Sequence, residues 1–511
     1  MNPPVRRLAV VVIAMFLALM LSTTWVQFFQ AGELNSHPRN ARTIYREYGR
    51  DRGPIIVAGE NVAYSTPSDD VYGYQRVYSE PELYAHATGY FSTAHNAMTG
   101  IEQTHNAVLG GTADSLLLQR IQNLFTGQQP QGGAVELTLD PAAQRAAAEG
   151  LGDRPGAVVA IDPSTGAILA MYSSPSYDPN GIAARSGAEA NEAYQQAIAA
   201  DNGVPLRNRA IAGDQYAPGS SFKIITAAAY LENAEELGLD YTGEAENDGD
   251  EEHGEENAEE LGAPGPTSIV PGPTTLELPL TDHVIRNPGQ DICGDGSGQV
   301  ELIEAFRWSC NTTFAQIGMD LGEDLMRAQA EAFGFGEPLS VPLSVTPARF
   351  PEEPNAPQLA MASIGQGDIM VTPMQMAMVA SAVANEGSLM EPYLVASELT
   401  PDLDEVASHS PSERSQPISA ETAASLQEMM RAVVESGSGT AAAIPGVEVG
   451  GKTGSAELGA GEAPHGWFAG FAEANGQEVA VAVVVERGGF GADVAAPIAR
   501  NVMDAVVGGG S

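Results

Sequence analysis

Ala217-Pro218-Gly219-Ser220-Ser221-Phe222-Lys223-Ile224-Ile225-Thr226-Ala227-Ala228-Ala229 is the stretch around which the chain is organised. A Pro-Gly turn leads into an apolar, alanine-rich run of helical character, placing Ser220 near a helix N-terminus and Lys223 about one turn later. Residues three apart on a helix share a face. A serine hydroxyl becomes a nucleophile when a neighbouring base takes its proton, and an amine serves if burial or a nearby cation lowers its pKa. Ser220 and Lys223 therefore read as nucleophile and base. From Ser221, Lys223 is only two positions away and points to another face.

Composition sharpens this reading. Lysine and arginine total 24, yet only two are lysines, Lys223 and Lys452. Elsewhere the chain carries positive charge on arginine, which cannot deprotonate in a protein. A site that needs a neutral amine cannot make that exchange. Lys452 opens Lys452-Thr453-Gly454-Ser455, and Ser309-Cys310-Asn311 lies between the two lysine motifs. A lone Ser-x-x-Lys is weak; the ordered triple Ser-x-x-Lys, Ser-x-Asn, Lys-Thr-Gly is specific.

The rest of the chain supplies a frame. A length of 511 residues allows about two to four domains. A net charge of -42 argues against nucleic acid as a partner. Leu8 to Leu21 is unbroken apolar sequence, extended by Ser22 to Phe29 and preceded by Arg6 and Arg7. It is long enough to span a bilayer, and the arginines keep the N-terminus cytoplasmic. A cleaved signal peptide is the competing reading, but no Ala-x-Ala site precedes Gln30. Residues 1–30 thus read as a short tail and membrane anchor with the remainder extracytoplasmic.

Residues 31–132 read as a partly β pedestal. Arg52 to Val57, the alternating Tyr72, Tyr74, Arg76 and Tyr78, Gly89 to Ser92, and Gly100 to Glu102 form short extended patches. The scattered His86, His95 and His105 lack metal-ligand spacing, and no metal or cofactor is expected. Residues 133–511 form a second domain. Asp140-Pro141 opens a helix, residues 157–161 and 167–171 make a hairpin, and the segments beginning at Val447, Gly466 and Val479 read as successive strands before a closing helix, 496–507. Strands from both ends around a helical middle predict an α/β (α+β) domain: one central antiparallel sheet covered by helices, with Lys452 beside the Ser220 helix. Residues 244–260 contain ten Asp or Glu in seventeen and read as a flexible acidic loop. The polar run 408–417 reads as another exposed connection. Cys293 and Cys310 lie where disulfides persist, which favours a bridge that fixes the Ser309-x-Asn311 turn.

On its three motifs, with Gly365-Gln366-Gly367, Val371-Thr372-Pro373, Gly439-Thr440-Ala441 and Trp467-Phe468 in support, the chain resembles the class B penicillin-binding proteins, in particular their actinobacterial A type. The likeness runs from Arg6 to the C-terminus. It implies a serine β-lactamase/transpeptidase-like fold and a peptidoglycan D,D-transpeptidase that β-lactams inhibit. It assigns Ser220 as nucleophile, Lys223 as base, Ser309 as proton relay and Asn311 as the group that orients Lys223 and substrate. Lys452 supplies positive potential, Thr453, Gly454 and Ser455 bind the substrate's carboxylate end, and the backbone N–H groups of Ser220 and Ser455 form the oxyanion hole. Peptidoglycan stem peptides on lipid-linked strands are the implied substrates. The pedestal is too small for a glycosyltransferase domain, so the resemblance implies a membrane glycosyltransferase partner of the shape, elongation, division and sporulation group. A β-lactam sensor or hydrolase, and a catalytically weak scaffold of wall synthesis, are the alternatives from other classes.

Overall fold

The computed structural model describes residues 3–26, 30, 50–69, 73–116, 131–200, 203–212, 215–239, 264–290, 292–459 and 461–508. Asn40–Arg42, Tyr72, the run 126–130 and the acidic residues 244–260 lie outside these. Helix α1 (Pro3–Thr24) is exposed along its length, and among the described residues it is the one helix long and apolar enough to cross a membrane.

The pedestal is built on β1 (Ile55–Val57), β2 (Glu60–Pro67) and β3 (Tyr74–Tyr78), paired antiparallel in succession. Strand β4 (Ala134–Leu137) runs parallel to β1 and antiparallel to Val395–Leu399, which in turn pairs with Glu405–Ser408. One six-stranded sheet thus joins the N-terminal region to a segment more than 250 residues downstream in sequence. Two readings are corrected here. Gly100 to Glu102 is not an extended patch but the start of a short helix, Gly100–Thr104. Within the run 408–417, Glu413–Ser415 is a strand, paired with Leu389–Met390.

That helix carries a buried ion triad. Glu102 is fully buried and accepts from the Nε of both Arg52 and Arg76, each at 2.6 Å, and from the Tyr78 hydroxyl at 3.1 Å. Burial pushes its pKa up, but Arg76 and Arg52 together outweigh that and hold the carboxyl below its ordinary value. The two guanidiniums also donate to backbone carbonyls of residues 52, 53 and 102, tying three segments together. Removing one member of a buried ion group leaves the others uncompensated, which costs about 3–5 kcal/mol. Glu102→Ala is therefore expected to lower the thermal unfolding midpoint of the full chain sharply, and an unchanged melt would show that the triad does not hold the pedestal.

The second domain opens with α2 (Pro141–Leu151). Asp140 caps it, its carboxylate accepting from the Ala143 N–H at 2.7 Å, with proline in the first turn where its missing N–H costs nothing. Strands β5 (Gly156–Ile161) and β6 (Ile168–Ser174) form the expected hairpin. The middle of the chain is helical: α3 (Lys223–Leu237), α4 (Asn311–Ala332), α5 (Pro373–Ala384) and α6 (Ala420–Ser436). Strands β7 (Glu448–Ala456), β8 (His465–Ala474) and β9 (Gln477–Val485) follow, and α7 (Ala496–Val507) closes the domain. The sheet order is β7-β8-β9-β5-β6, antiparallel throughout, so strands from both ends of the domain meet at β9 and β5.

The strand sequences explain why both faces are covered. Val158 and Ala160 on β5 and Val481 and Val483 on β9 point to a core shared with Ile498 and Val502 of α7. Their neighbours Ala157, Val159, Ala482 and Val484 point to the opposite core, with Met374 and Ala377 of α5. A strand with both faces buried reads as a continuous apolar run rather than an alternation. Strand β7 is the sheet edge, and its free side meets the Ser220 turn.

Candidate active site

The Pro-Gly turn has a specific geometric task. Residues Gly219–Phe222 form a single 3-10 turn that runs directly into α3, so Ser220 sits just before the α-helix and Lys223 begins it. Gly219 has φ +56°, a left-handed conformation, and a Cβ there would come within 2.8 Å of the Ser455 backbone. Its N–H donates to the Gly365 carbonyl at 2.8 Å. From the other side, a Cβ on Gly454 would lie 2.7 Å from the Pro218 carbonyl. Glycines on each partner thus let three backbones press together around the serine. Ser220 is half-buried in the wall of a cleft. Ser221 is fully buried and donates to the Pro218 carbonyl at 2.7 Å.

Lys223 is fully buried. Its side-chain nitrogen donates to Asn311 Oδ1 at 2.7 Å and to the Ser309 carbonyl at 2.8 Å, and lies 3.2 Å from Ser309 Oγ. These acceptors are all neutral, and among the described residues no carboxylate pairs with it. Burial, followed by the nearby Lys452, holds the Lys223 pKa well below its ordinary value. Lys452, on β7, is also fully buried, and burial brings it to about 7. Its nitrogen donates to the Thr453 carbonyl at 3.2 Å and lies 5.5 Å from the centre of the Phe306 ring.

Ser309 has φ +61°, a left-handed conformation that a non-glycine residue adopts at a cost and that recurs at functional sites. The turn is held from both ends. The Cys310 N–H donates to the Ala305 carbonyl, and Cys310 is joined to Cys293 by a disulfide with the Cα atoms 5.9 Å apart. Asn311 opens α4 with its amide oriented by two contacts, Oδ1 accepting from Lys223 and Nδ2 donating to the Arg286 carbonyl at 2.9 Å.

The structure therefore brings the three motifs to one cleft of 820 Å³, lined by Ser220, Ser309, Asn311, Thr453, Gly454 and Ser455, with Lys223 buried against Ser309 and Asn311 and Lys452 buried on β7 next to Thr453. Residues not singled out from sequence complete it. The Ser438 and Thr453 hydroxyls lie 2.8 Å apart, and Gln366 Nε2 donates to the Ser455 carbonyl at 3.1 Å. Gln366 lies within the glycine-rich run Gly365-Gln366-Gly367. Ser438 immediately precedes Gly439-Thr440-Ala441, so both had a local signal but no assigned task. Behind the turn, the Tyr216 hydroxyl donates to Glu486 at 2.6 Å and Arg209 Nε to the same oxygen at 2.7 Å, while Trp467 Nε1 donates to the Ala217 carbonyl. These bonds tether the segment that delivers Ser220 to β8 and the end of β9.

A model of the penicillin-binding protein transpeptidase domain matches residues 156–235 and 277–504, taking in every residue of this cleft. The chain belongs to this family. It is a class B penicillin-binding protein: it is 38% identical, over the full length of both chains, to the peptidoglycan D,D-transpeptidase PbpA of Mycolicibacterium smegmatis. A model of the penicillin-binding protein A dimerisation domain matches residues 52–135, which take in most of the pedestal and reach into the start of the second domain. Among solved structures, this penicillin-binding protein is similar to penicillin-binding protein A from M. tuberculosis as its penicillin G acyl-enzyme complex. The TM-score is 0.79 at 36% identity, covering 89% of this chain and 99% of that one. The imipenem acyl-enzyme of the same M. tuberculosis protein matches with a TM-score of 0.80 at 37% identity over 90% of this chain and 99% of that chain. The transpeptidase match skips residues 236–276, which include the acidic run.

Proposed function

We propose that this chain is a peptidoglycan D,D-transpeptidase that cross-links stem peptides through an acyl ester on Ser220, and that β-lactams acylate the same oxygen. The observation that carries the reading is the buried, carboxylate-free setting of Lys223, hydrogen-bonded to Ser309 and Asn311 and one turn from a cleft-lining serine. That setting favours the neutral amine, which can accept a proton.

Ser220 Oγ attacks the carbonyl carbon between the two terminal D-alanines as its proton passes to Lys223. Charge develops on the carbonyl oxygen, and the backbone N–H groups of Ser220 and Ser455, brought close by Gly219 and Gly454, are its donors. Ser309 Oγ, 3.2 Å from Lys223, relays the proton to the departing D-alanine. Lys452 keeps the cleft positive, and the Thr453 and Ser455 hydroxyls hold the substrate's terminal carboxylate. An amine or water then releases the acyl group. Incubation of the full-length chain with penicillin tests the reading: a single stoichiometric mass increment on the Ser220 peptide, lasting many minutes, is expected, and well-folded protein without an increment would overturn it.

The two lysines also set a pH dependence. The second-order rate of acylation reports groups in the free enzyme. Burial and Lys452 hold the Lys223 pKa well below its ordinary value, and a rise in pH favours the neutral form that acts as base. Lys452 loses its proton as pH rises through about 7, and with it the positive potential that faces a carboxylate. Penicillin acylation is therefore expected to decline above that point. In Lys452→Arg the falling limb should vanish, whatever the absolute rate, because a guanidinium stays charged. A limb that persists unchanged would assign it to another group.

The same reading places α1 across the membrane with Arg6 and Arg7 on the cytoplasmic side, residues 31–132 as an extracytoplasmic pedestal and residues 133–511 as the transpeptidase domain. It pairs the chain with a membrane glycosyltransferase of the shape, elongation, division and sporulation group, which would supply the glycan strands.

A further inference from the structure

The donor peptide brings more to the cleft than the carboxylate at its end. On the reading above, Thr453 and Ser455 take that terminal group on the β7 side, while Asn311 orients the peptide at Ser220. The wall that carries Asn311 also carries Arg286, and among the described residues that line the cleft it is the one arginine or lysine. The carboxylates that line it stand elsewhere, Glu457 directly after β7 and Asp493 between β9 and α7.

The Arg286 backbone is fixed from both sides. Val284–Arg286 is a short strand paired antiparallel with Thr275–Glu277. The Arg286 carbonyl accepts from Asn311 Nδ2 at 2.9 Å, and Asn311 Oδ1 accepts from Lys223 at 2.7 Å, so one side-chain amide links this backbone to the base. The next residue, Asn287, is buried, and its Oδ1 accepts from the Thr312 N–H and hydroxyl at 3.1 Å each. The Arg286 side chain, by contrast, is exposed. It forms no ion pair among the described residues, whereas Arg209, Arg307, Arg327 and Arg414 each pair with carboxylates of the chain. In a protein with 66 Asp and Glu against 24 Lys and Arg, a guanidinium on a rigid base in the cleft and without an internal partner is available to an anion that enters from outside.

We propose that Arg286 receives a second carboxylate of the donor peptide, on the part that remains bound to Ser220 as the acyl ester, and thereby sets which donors are preferred; the proposal rests on the transpeptidase reading above. The terminal carboxylate leaves with the departing D-alanine, from the Thr453 and Ser455 side. The retained part meets the wall of Asn311 and Arg286 instead. A guanidinium offers its N–H groups as a planar fork, which matches both oxygens of a carboxylate. A carboxamide at the same place gives up the charge and one acceptor, and turns an N–H toward another N–H. Donors bearing the free acid are therefore favoured over amidated ones.

The test uses the full chain in detergent micelles and two matched pairs of acylating probes. One pair is a penicillin whose side chain ends in a carboxylate and the same penicillin with a carboxamide there. The other is acetyl-L-glutamyl-D-Ala-D-Ala and its L-glutaminyl analogue, read by how fast each protects Ser220 from a labelled penicillin. The quantity compared is the ratio of second-order acylation rates, carboxylate over carboxamide, because a general loss of support for Asn311 slows both members of a pair alike. Arg286→Gln keeps the backbone carbonyl that Asn311 uses and is expected to lower this ratio by about fivefold at low ionic strength, the size of a solvent-exposed ion pair. The drop should shrink as salt is added, and Arg286→Lys should retain part of the ratio. A ratio that Arg286→Gln leaves unchanged in both pairs overturns the proposal, as does a drop that salt does not diminish. A wild-type chain that penicillin does not label at all overturns the transpeptidase reading itself.

Discussion

Ser220→Ala is expected to abolish the covalent penicillin adduct on the full-length chain, whereas Ser221→Ala retains it. The two hydroxyls are adjacent in sequence but differ in environment. Ser221 is fully buried and its proton is committed to the Pro218 carbonyl at 2.7 Å, while Ser220 opens onto the cleft that Thr453, Ser455 and Ser309 also line. Loss of a nucleophilic serine from an activated set typically costs on the order of a millionfold in turnover, far beyond any effect of lost packing. Intact-mass measurement after penicillin treatment, followed by peptide mapping, separates the two serines. An adduct on the Ser220 variant would assign the nucleophile elsewhere.

The second large effect is expected from Lys223→Arg. Arginine preserves the positive charge and the capacity to donate to Ser309 and Asn311, but a guanidinium cannot accept the serine proton. It would also place a permanent charge in a fully buried site beside Lys452, where burial and that same neighbour hold the native lysine's pKa well below its ordinary value. General-base catalysis contributes about 10²–10⁴ in rate, and the acylation rate should fall by that much. Lys223→Ala, which removes the base without adding charge, should show a comparable loss and separates missing basicity from electrostatic repulsion. Stopped-flow acylation with a chromogenic β-lactam measures both. Near-native acylation by either variant would eliminate Lys223 as the base.

Much of the grouping of residues in this cleft is legible in the sequence, because they fall in short local motifs. Ser220 and Lys223 share a helical face by spacing alone. The scarcity of lysine in a chain that otherwise uses arginine sets Lys223 and Lys452 apart. The central sheet was readable for a related reason: strands with both faces buried become unbroken runs such as Val479 to Val485, and their turns carry Asp, Pro and Gly. What escaped depends on partners distant in sequence. Glu102 looked like part of an extended patch, because nothing within a few residues announces Arg52 and Arg76 as its partners. The pairing of β4 with Val395–Leu399 joins segments that no periodicity connects. Ser438, Gln366 and the Tyr216–Glu486–Arg209 group act through hydrogen bonds across the fold, and a serine, a glutamine or a tyrosine in isolation carries no mark of such a task.

The distribution of lysine has a practical consequence outside catalysis. With Lys223 and Lys452 the only lysines in the chain, and both at 0% exposure, no lysine ammonium reaches the outer surface of the folded protein. Reagents such as activated esters or aldehydes, which decorate most proteins indiscriminately, find no exposed lysine on the folded molecule. Coupling through lysine will therefore fail to immobilise or cross-link the native molecule.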